Sequence, residues 1–135
     1  MTSSQSIAVA AVFCLELAFI PVAWADPAGD ACGALAVARG TLYEMTSGKD
    51  KSALDALNAK VQAASKKLDS ALAGMTGADA KMAADFKPIW DQFKATREQE
   101  LIPALYKGDV DSAKKIANGV QFERLIKMWN IICKK

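Results

Sequence analysis

From Ala31 to Met128 the apolar positions recur every three or four residues, and that spacing predicts four helices. The first is expected from about Gly29 to Thr46, with Ala31, Leu35, Ala38, Leu42 and Met45 on one side. The second, from about Ser52 to Gly74, carries Leu54, Leu57, Val61, Ala64, Leu68, Ala71 and Met75 in unbroken alternation of three and four. The third, from about Ala78 to Lys107, turns Met82, Phe86, Ile89, Phe93, Leu101 and Leu105 inward. The fourth, from Val110 to Ile132, does the same with Ala113, Ala117, Val120, Leu125 and Met128. No stretch of useful length alternates with period two, so no strand is expected.

The breaks between these segments carry stop and start signals. Ser47-Gly48 closes the first helix, and Ser52 with Asp55 has the form of a capping box, as does Thr76 with Asp79. Gly108 is placed to close the third helix and Asp109 to cap the fourth. Pro88 falls near a ragged start of the third helix, and Pro103 is expected to bend its last turns.

The first 25 residues differ from the rest. They hold no Lys or Arg, one acid (Glu16), and an apolar run from Ile7 to Ile20 that leads through Pro21 to Ala23-Trp24-Ala25 and the polar Asp26-Pro27. Small residues at those two positions mark a signal-peptidase site after Ala25. The expected organisation is a signal peptide over 1–25 and one domain over 26–135, with a periplasmic location; the competing reading is a retained membrane anchor. A lipoprotein site at Cys14 fits less well, because the bulky Phe13 precedes it.

Removal of that segment changes the cysteine arithmetic. Cys14 leaves with it, and Cys32 and Cys133 remain as a pair in an oxidising compartment, where a disulfide persists. An up-and-down bundle brings its chain ends to the same end only with an even number of helices. Three helices would hold the two cysteines apart by roughly 30 Å, the length of a 20-residue helix. The predicted fold is therefore an all-α, antiparallel up-and-down four-helix bundle clasped by Cys32–Cys133.

Charge narrows the function. All 17 basic residues and 14 of the 15 acids lie beyond Ala25, a near-balanced surface with no basic stripe, which argues against nucleic acid. The chain has no histidine, which removes His-based acid–base catalysis, Ser-His and Cys-His dyads and His-ligated haem. No CxxC or phosphate loop is present, and Met45, Met75, Met82 and Met128 sit at seam positions as core filler rather than as soft metal ligands. The chain reads as non-enzymatic, with no cofactor.

Against this background, Arg97, Glu100, Gln121, Glu123 and Arg124 stand out as polar residues near the expected core. Folding the last two helices back about Gly108 sets Arg97 opposite position 119 and Arg124 opposite position 92, about 7.5 Å apart along the axis. Arg97, Gln121 and Arg124 are thus candidate contacts for a small anion, which a guanidinium fork binds bidentately. The bland alternative is a structural ion pair. Trp90 and Trp129 fall close together on the same two helices, where aromatic core packing is expected.

The run FKPIWDQFKATREQELIPALYKGDVDSAKKIANGVQFERLIKM, residues 86–128, resembles the last two helices of the periplasmic four-helix-bundle ligand-binding domains of methyl-accepting chemotaxis receptors. The matching elements are an aromatic-rich helix with a mid-helix Arg97, Ala104-Leu105 before Gly108-Asp109, Ala113, and Gly119-Val120-Gln121 followed by Arg124 and Met128. The resemblance implies a sensor-like domain that binds a small metabolite and signals through helix displacement or dimer packing. No second membrane span or signalling region follows, so a free-standing protein docking on a membrane partner, or a homodimer, is the expectation. A second resemblance, to small periplasmic bundle cytochromes, rests on length, export and helix arrangement and supplies an electron-transfer or haem-related alternative; this sequence has Met128 and Cys133 where that family places histidine or CxxCH. A structural or protein-interaction scaffold is the third reading.

Overall fold

The computed structural model describes residues 25–134; the expected signal peptide and its cleavage site lie outside that range except for Ala25, as does Cys14. Six α-helices follow one another: α1 (Pro27–Met45), α2 (Lys51–Gly74), α3 (Ala80–Thr96), α4 (Ile102–Tyr106), α5 (Val110–Asn118) and α6 (Val120–Ile132). A single π turn (Arg97–Leu101) joins α3 to α4, and Gly119 separates α5 from α6, so the six form four arms. The described residues contain no strand. The fold is an all-α four-helix arrangement, and Cys32 and Cys133 are bonded across its ends with their Cα atoms 5.3 Å apart.

Each start has a local cause. Asp26 caps α1 by accepting from the Gly29 N–H at 3.0 Å, with Pro27 in the first turn where its missing N–H costs nothing. Asp50, not Ser52, caps α2, accepting from Ala53 N–H at 2.8 Å. Its backbone is extended where the helix begins, so Ser52 falls at the second helical position and Asp55 is released to pair with Lys51. The expected box at Thr76 also fails: its side chain makes no capping bond, and a 3-10 turn over Gly77–Asp79 leads into α3. Gly108 closes α4 at φ +78°, and Asp109 caps α5 through Ser112 N–H at 3.1 Å, as expected.

The prolines act differently from each other. Pro88 sits inside α3 on an exposed side, with exposed Ala84 four residues before it, so water can take the carbonyl left without a donor. Pro103 follows the π turn, in which the Ile102 N–H reaches back five residues to the Arg97 carbonyl. The extra residue in that turn absorbs the collision a proline ring makes with the preceding turn.

The core is the expected seam with substitutions at the irregular points. Leu35, Leu42, Met45, Val61, Leu68, Phe86, Phe93, Leu101 and Met128 are all fully or almost fully buried. Val120 is 42% exposed and Gln121 takes the inward position instead, four residues after buried Ala117 and four before buried Leu125. A side chain at Gly119 would meet the Lys115 carbonyl at 2.9 Å, which fits glycine at this bend. Trp129, expected in the core, is 37% exposed, whereas Trp90 is buried and stacked on Phe93 with ring centres 5.7 Å apart.

α1 packs closely on α2 and also meets α6, which packs on α3. Between α2 and α3 the gap is filled by long side chains. Trp90 Nε1 donates to Asp69 Oδ1 at 2.7 Å, and Lys94 Nζ reaches the same carboxylate oxygen at 3.0 Å.

Candidate functional site

The first candidate residue opens the π turn. Arg97 lies one ordinary helical turn after Phe93, to whose carbonyl its N–H bonds, on the buried side between Phe93 and Leu101, where the side chain is 1% exposed. Its guanidinium points towards α2: Nη1 donates to Ser65 Oγ at 2.8 Å, and Nε donates to Glu98 Oε1 at 2.8 Å. The guanidinium carbon lies 5.9 Å from the centre of the Trp90 ring. The acceptors are themselves held, since Ser65 Oγ donates to the Val61 carbonyl at 2.9 Å and Glu98 Oε1 accepts from Gln62 at 2.8 Å.

Gln121 and Arg124 come together on the other side of α3. Gln121 is fully buried and donates through Nε2 to the Phe93 carbonyl at 2.9 Å. Arg124 Nη1 donates to Thr96 Oγ1 at 2.7 Å and to Gln121 Oε1 at 3.0 Å, with the Gln92 carbonyl at 3.4 Å. The pairing of Arg124 with position 92 is therefore as counted, but Arg97 faces Ser65 rather than position 119. The guanidinium groups of Arg97 and Arg124 share no partner and lie on opposite flanks of α3. Glu98 joins this network, and Glu100 and Glu123 remain exposed outside it.

Buried polar side chains whose buried atoms each have a partner are a pattern of structural specificity. No buried side-chain nitrogen or oxygen among the described residues lacks a hydrogen-bond partner. Nor do the described residues assemble a group of three or more His, Cys, Asp or Glu side chains suited to a metal ion.

A different surface emerges on α1. This 19-residue helix has only three charged residues, Asp30, Arg39 and Glu44, and its outward line reads Gly29, Gly33, Ala36, Val37, Gly40. A surface helix ordinarily carries charge along its outer face. Glycine inside a helix costs about 0.5–1 kcal/mol relative to alanine, so each such glycine calls for a reason. Gly29 has one, because a Cβ there would collide with the capping Asp26 carboxylate at 2.5 Å. Gly33 and Gly40 have none among the described residues: a Cβ at either would meet none of their atoms within 4 Å.

The two flanks of that line differ in shape. Towards α2 runs an open groove of about 910 Å³, floored by Ala34, Ala64 and Ala71 and edged by Lys66 and Lys67. Towards α6 stands a ridge of Phe122, Ile126 and Trp129, which are 40%, 45% and 37% exposed and lie four and three residues apart on one side of the helix. Arg39 sits beside the ridge, over a cleft of about 170 Å³. Large apolar side chains exposed together, rather than singly, mark an interaction surface.

Searches for relatives add no family to this picture. No protein-family model matches the chain, and no significant match is found among curated proteins or solved structures.

The sequence pattern pointed to Arg97, Gln121 and Arg124 but missed Ser65 and Thr96, the partners of the two arginines, and the exposed Asp69 that accepts from Trp90. Ser65 had a signal: it lies between Val61 and Leu68 on the inward face of α2, where an apolar residue is expected. The outer line of α1 was also readable, as a helix with three glycines and three charges among 19 residues.

Proposed function

We propose that the mature chain is an exported, non-enzymatic binding bundle of the periplasm that works by presenting its α1–α6 face to another protein. The observation that carries this reading is the exposed Phe122–Ile126–Trp129 ridge running beside an outer face of α1 built from glycine, alanine and valine. The absence of histidine and of a metal-ligating cluster among the described residues is consistent with it. A small-anion site at Arg97 and Arg124 has less support, because the donors that would grip an anion point at Ser65, Glu98, Thr96 and Gln121. The haem-related alternative has no histidine to offer as a ligand.

The test is site-specific photocrosslinking in cells that export the protein. A photoreactive residue at Val37 or Ile126 is expected to give discrete covalent adducts, whereas one at exposed Lys87 on α3 is expected to give none. Adducts from Lys87 alone, or none from the α1–α6 face, would refute the reading.

A further inference from the structure

We infer that the occupant of this face is a second copy of the same chain, packed with its α1 parallel to the first about a two-fold axis running along the two α1 helices. The inference rests on the reading of the α1–α6 face as an interaction surface.

Gly33 and Gly40 are seven residues apart, two turns along one line of the helix, and neither faces another of the described residues within 4 Å. Small residues at such spacing let two helix backbones come closer than the ordinary 8–10 Å. In an isologous contact the same patch serves both sides, so each glycine clears room for its own copy.

The shape of the flanks chooses the direction. Rotation about an axis parallel to α1 places the α6 ridge of one copy over the α2 groove of the other. The antiparallel arrangement would set groove on groove and face Lys66 and Lys67 with the same lysines of the second copy. Levels along the bundle follow from two anchors: a Cβ on Gly74 would touch Pro27, and Cys133 is bonded to Cys32. Counting back along the antiparallel neighbours puts Trp129 level with Ala36, beside Val37 at the groove's edge.

Charge agrees with the same geometry. The count sets Lys60 on the groove flank level with Thr41, and Glu123 on the ridge flank level with Leu42; the rotation brings them opposite each other. Asp30 on the groove flank and Lys134 at the end of the ridge flank meet in the same way. None of these four has an ion pair among the described residues. The size is adequate too. A 19-residue helix is about 28 Å long, and two interaxial spacings make the face roughly 18 Å wide. That footprint of about 500 Å² is planar, and side-chain relief raises its accessible area towards the ~800 Å² per partner of a stable interface.

The experiment is sedimentation velocity on the disulfide-intact mature chain from about 1 to 100 μM, the range in which a micromolar Kd is visible. The expected result is twice the chain mass at the upper end, dissociating on dilution. Gly33→Arg and Ile126→Lys are each expected to weaken association at least tenfold, with an unchanged helical circular-dichroism signal showing that they fold. Gly40→Cys, treated with a short thiol-to-thiol crosslinker, is expected to give a 40–40 linked dimer. A single-chain mass at 100 μM overturns the inference, as does a dimer indifferent to Gly33→Arg and Ile126→Lys, or one without the 40–40 link. If the chain is single but Val37 and Ile126 still photocrosslink to a different protein, the second copy is wrong and the interaction face stands.

Discussion

Replacing Arg97 separates a packed structural arginine from a ligand-binding one. The side chain is 1% exposed, surrounded by Trp90, Ser65 and the start of the π turn. Truncation in Arg97→Ala removes its aliphatic stem and leaves a cavity, which costs about 3 kcal/mol by analogy with long apolar side chains cut to alanine. It orphans no partner, because Ser65 Oγ keeps the Val61 carbonyl and Glu98 keeps Gln62 and water. Arg97→Met refills most of the volume and removes the cost of burying a charge, so its net penalty should stay within about 1 kcal/mol. The expected gap between the two variants is therefore about 2 kcal/mol. Urea unfolding of the disulfide-intact chain, followed by circular dichroism at 222 nm and by tryptophan fluorescence, measures it. Equal losses in the two variants would show that the charge, not the packing, is what matters, and a loss below about 1 kcal/mol in Arg97→Ala would show that the stem is not packed.

Reducing Cys32–Cys133 reopens a loop spanning 101 residues, and on the chain-entropy model that removes up to ~4.7 kcal/mol; urea midpoints with and without reductant should differ by a large share of total stability. Asp109→Ala removes the cap of α5 and should lower the midpoint at neutral pH. Because the Ser112 hydroxyl and N–H hold the Asp109 carboxyl below its ordinary value, that stabilisation is present above the unfolded pKa and lost as pH falls through the folded one, so the variant and the parent should converge in acid. The hydrogen bond from Tyr106 to Asp55, at 2.6 Å, raises the phenol's pKa, and Asp55→Asn should bring phenolate absorbance at 295 nm in at lower pH. Gly33→Ala with Gly40→Ala should stabilise the dilute chain by about 0.5–1 kcal/mol each, read as a raised urea midpoint; destabilisation would mean that the space outside these glycines is not open.

The regular parts of this fold were legible because their chemistry is local. The three-and-four spacing of α1 and α2 needs no tertiary information, and Gly108-Asp109 carries its own turn and cap. The cysteine pair and the helix number constrained each other, and the structure joins them. What escaped the pattern lies where a polar side chain holds a core position. Arg97 follows Phe93 by four residues and lies on its buried side, a position that a search for apolar residues leaves blank. Gln121 goes inward and Val120 outward because the regular four-residue line Ala117, Gln121, Leu125 contains a polar side chain. Adjacent Met128 and Trp129 cannot both face the core, and periodicity alone favours Met128 without showing that the larger side chain is left outside. The two capping errors differ in origin: Asp50 stands just ahead of Ser52 and takes the role first, whereas a 3-10 turn over Gly77–Asp79 separates Thr76 from α3.

The disulfide has a part to play beyond stability. α1 meets α2 through small side chains and carries few polar groups of its own; Arg39 stacks on Tyr43 within the same helix, and Tyr43 Oη reaches the Ala117 carbonyl only at 3.4 Å. The ridge, however, is on α6, and α6 takes its position from Gln121 and Arg124 gripping α3. The glycine line and the ridge therefore belong to helices held by different partners. A rigid surface made from both needs a tie between α1 and α6, and Cys32–Cys133 supplies it at the end nearest Trp129, one turn from Cys133 along α6. The same bond that closes the longest loop in the chain also holds the two halves of the exposed face in register. A chain that needed only stability could place its covalent closure between any two arms; one that joins α1 to α6 fixes the geometry of the surface those two helices share.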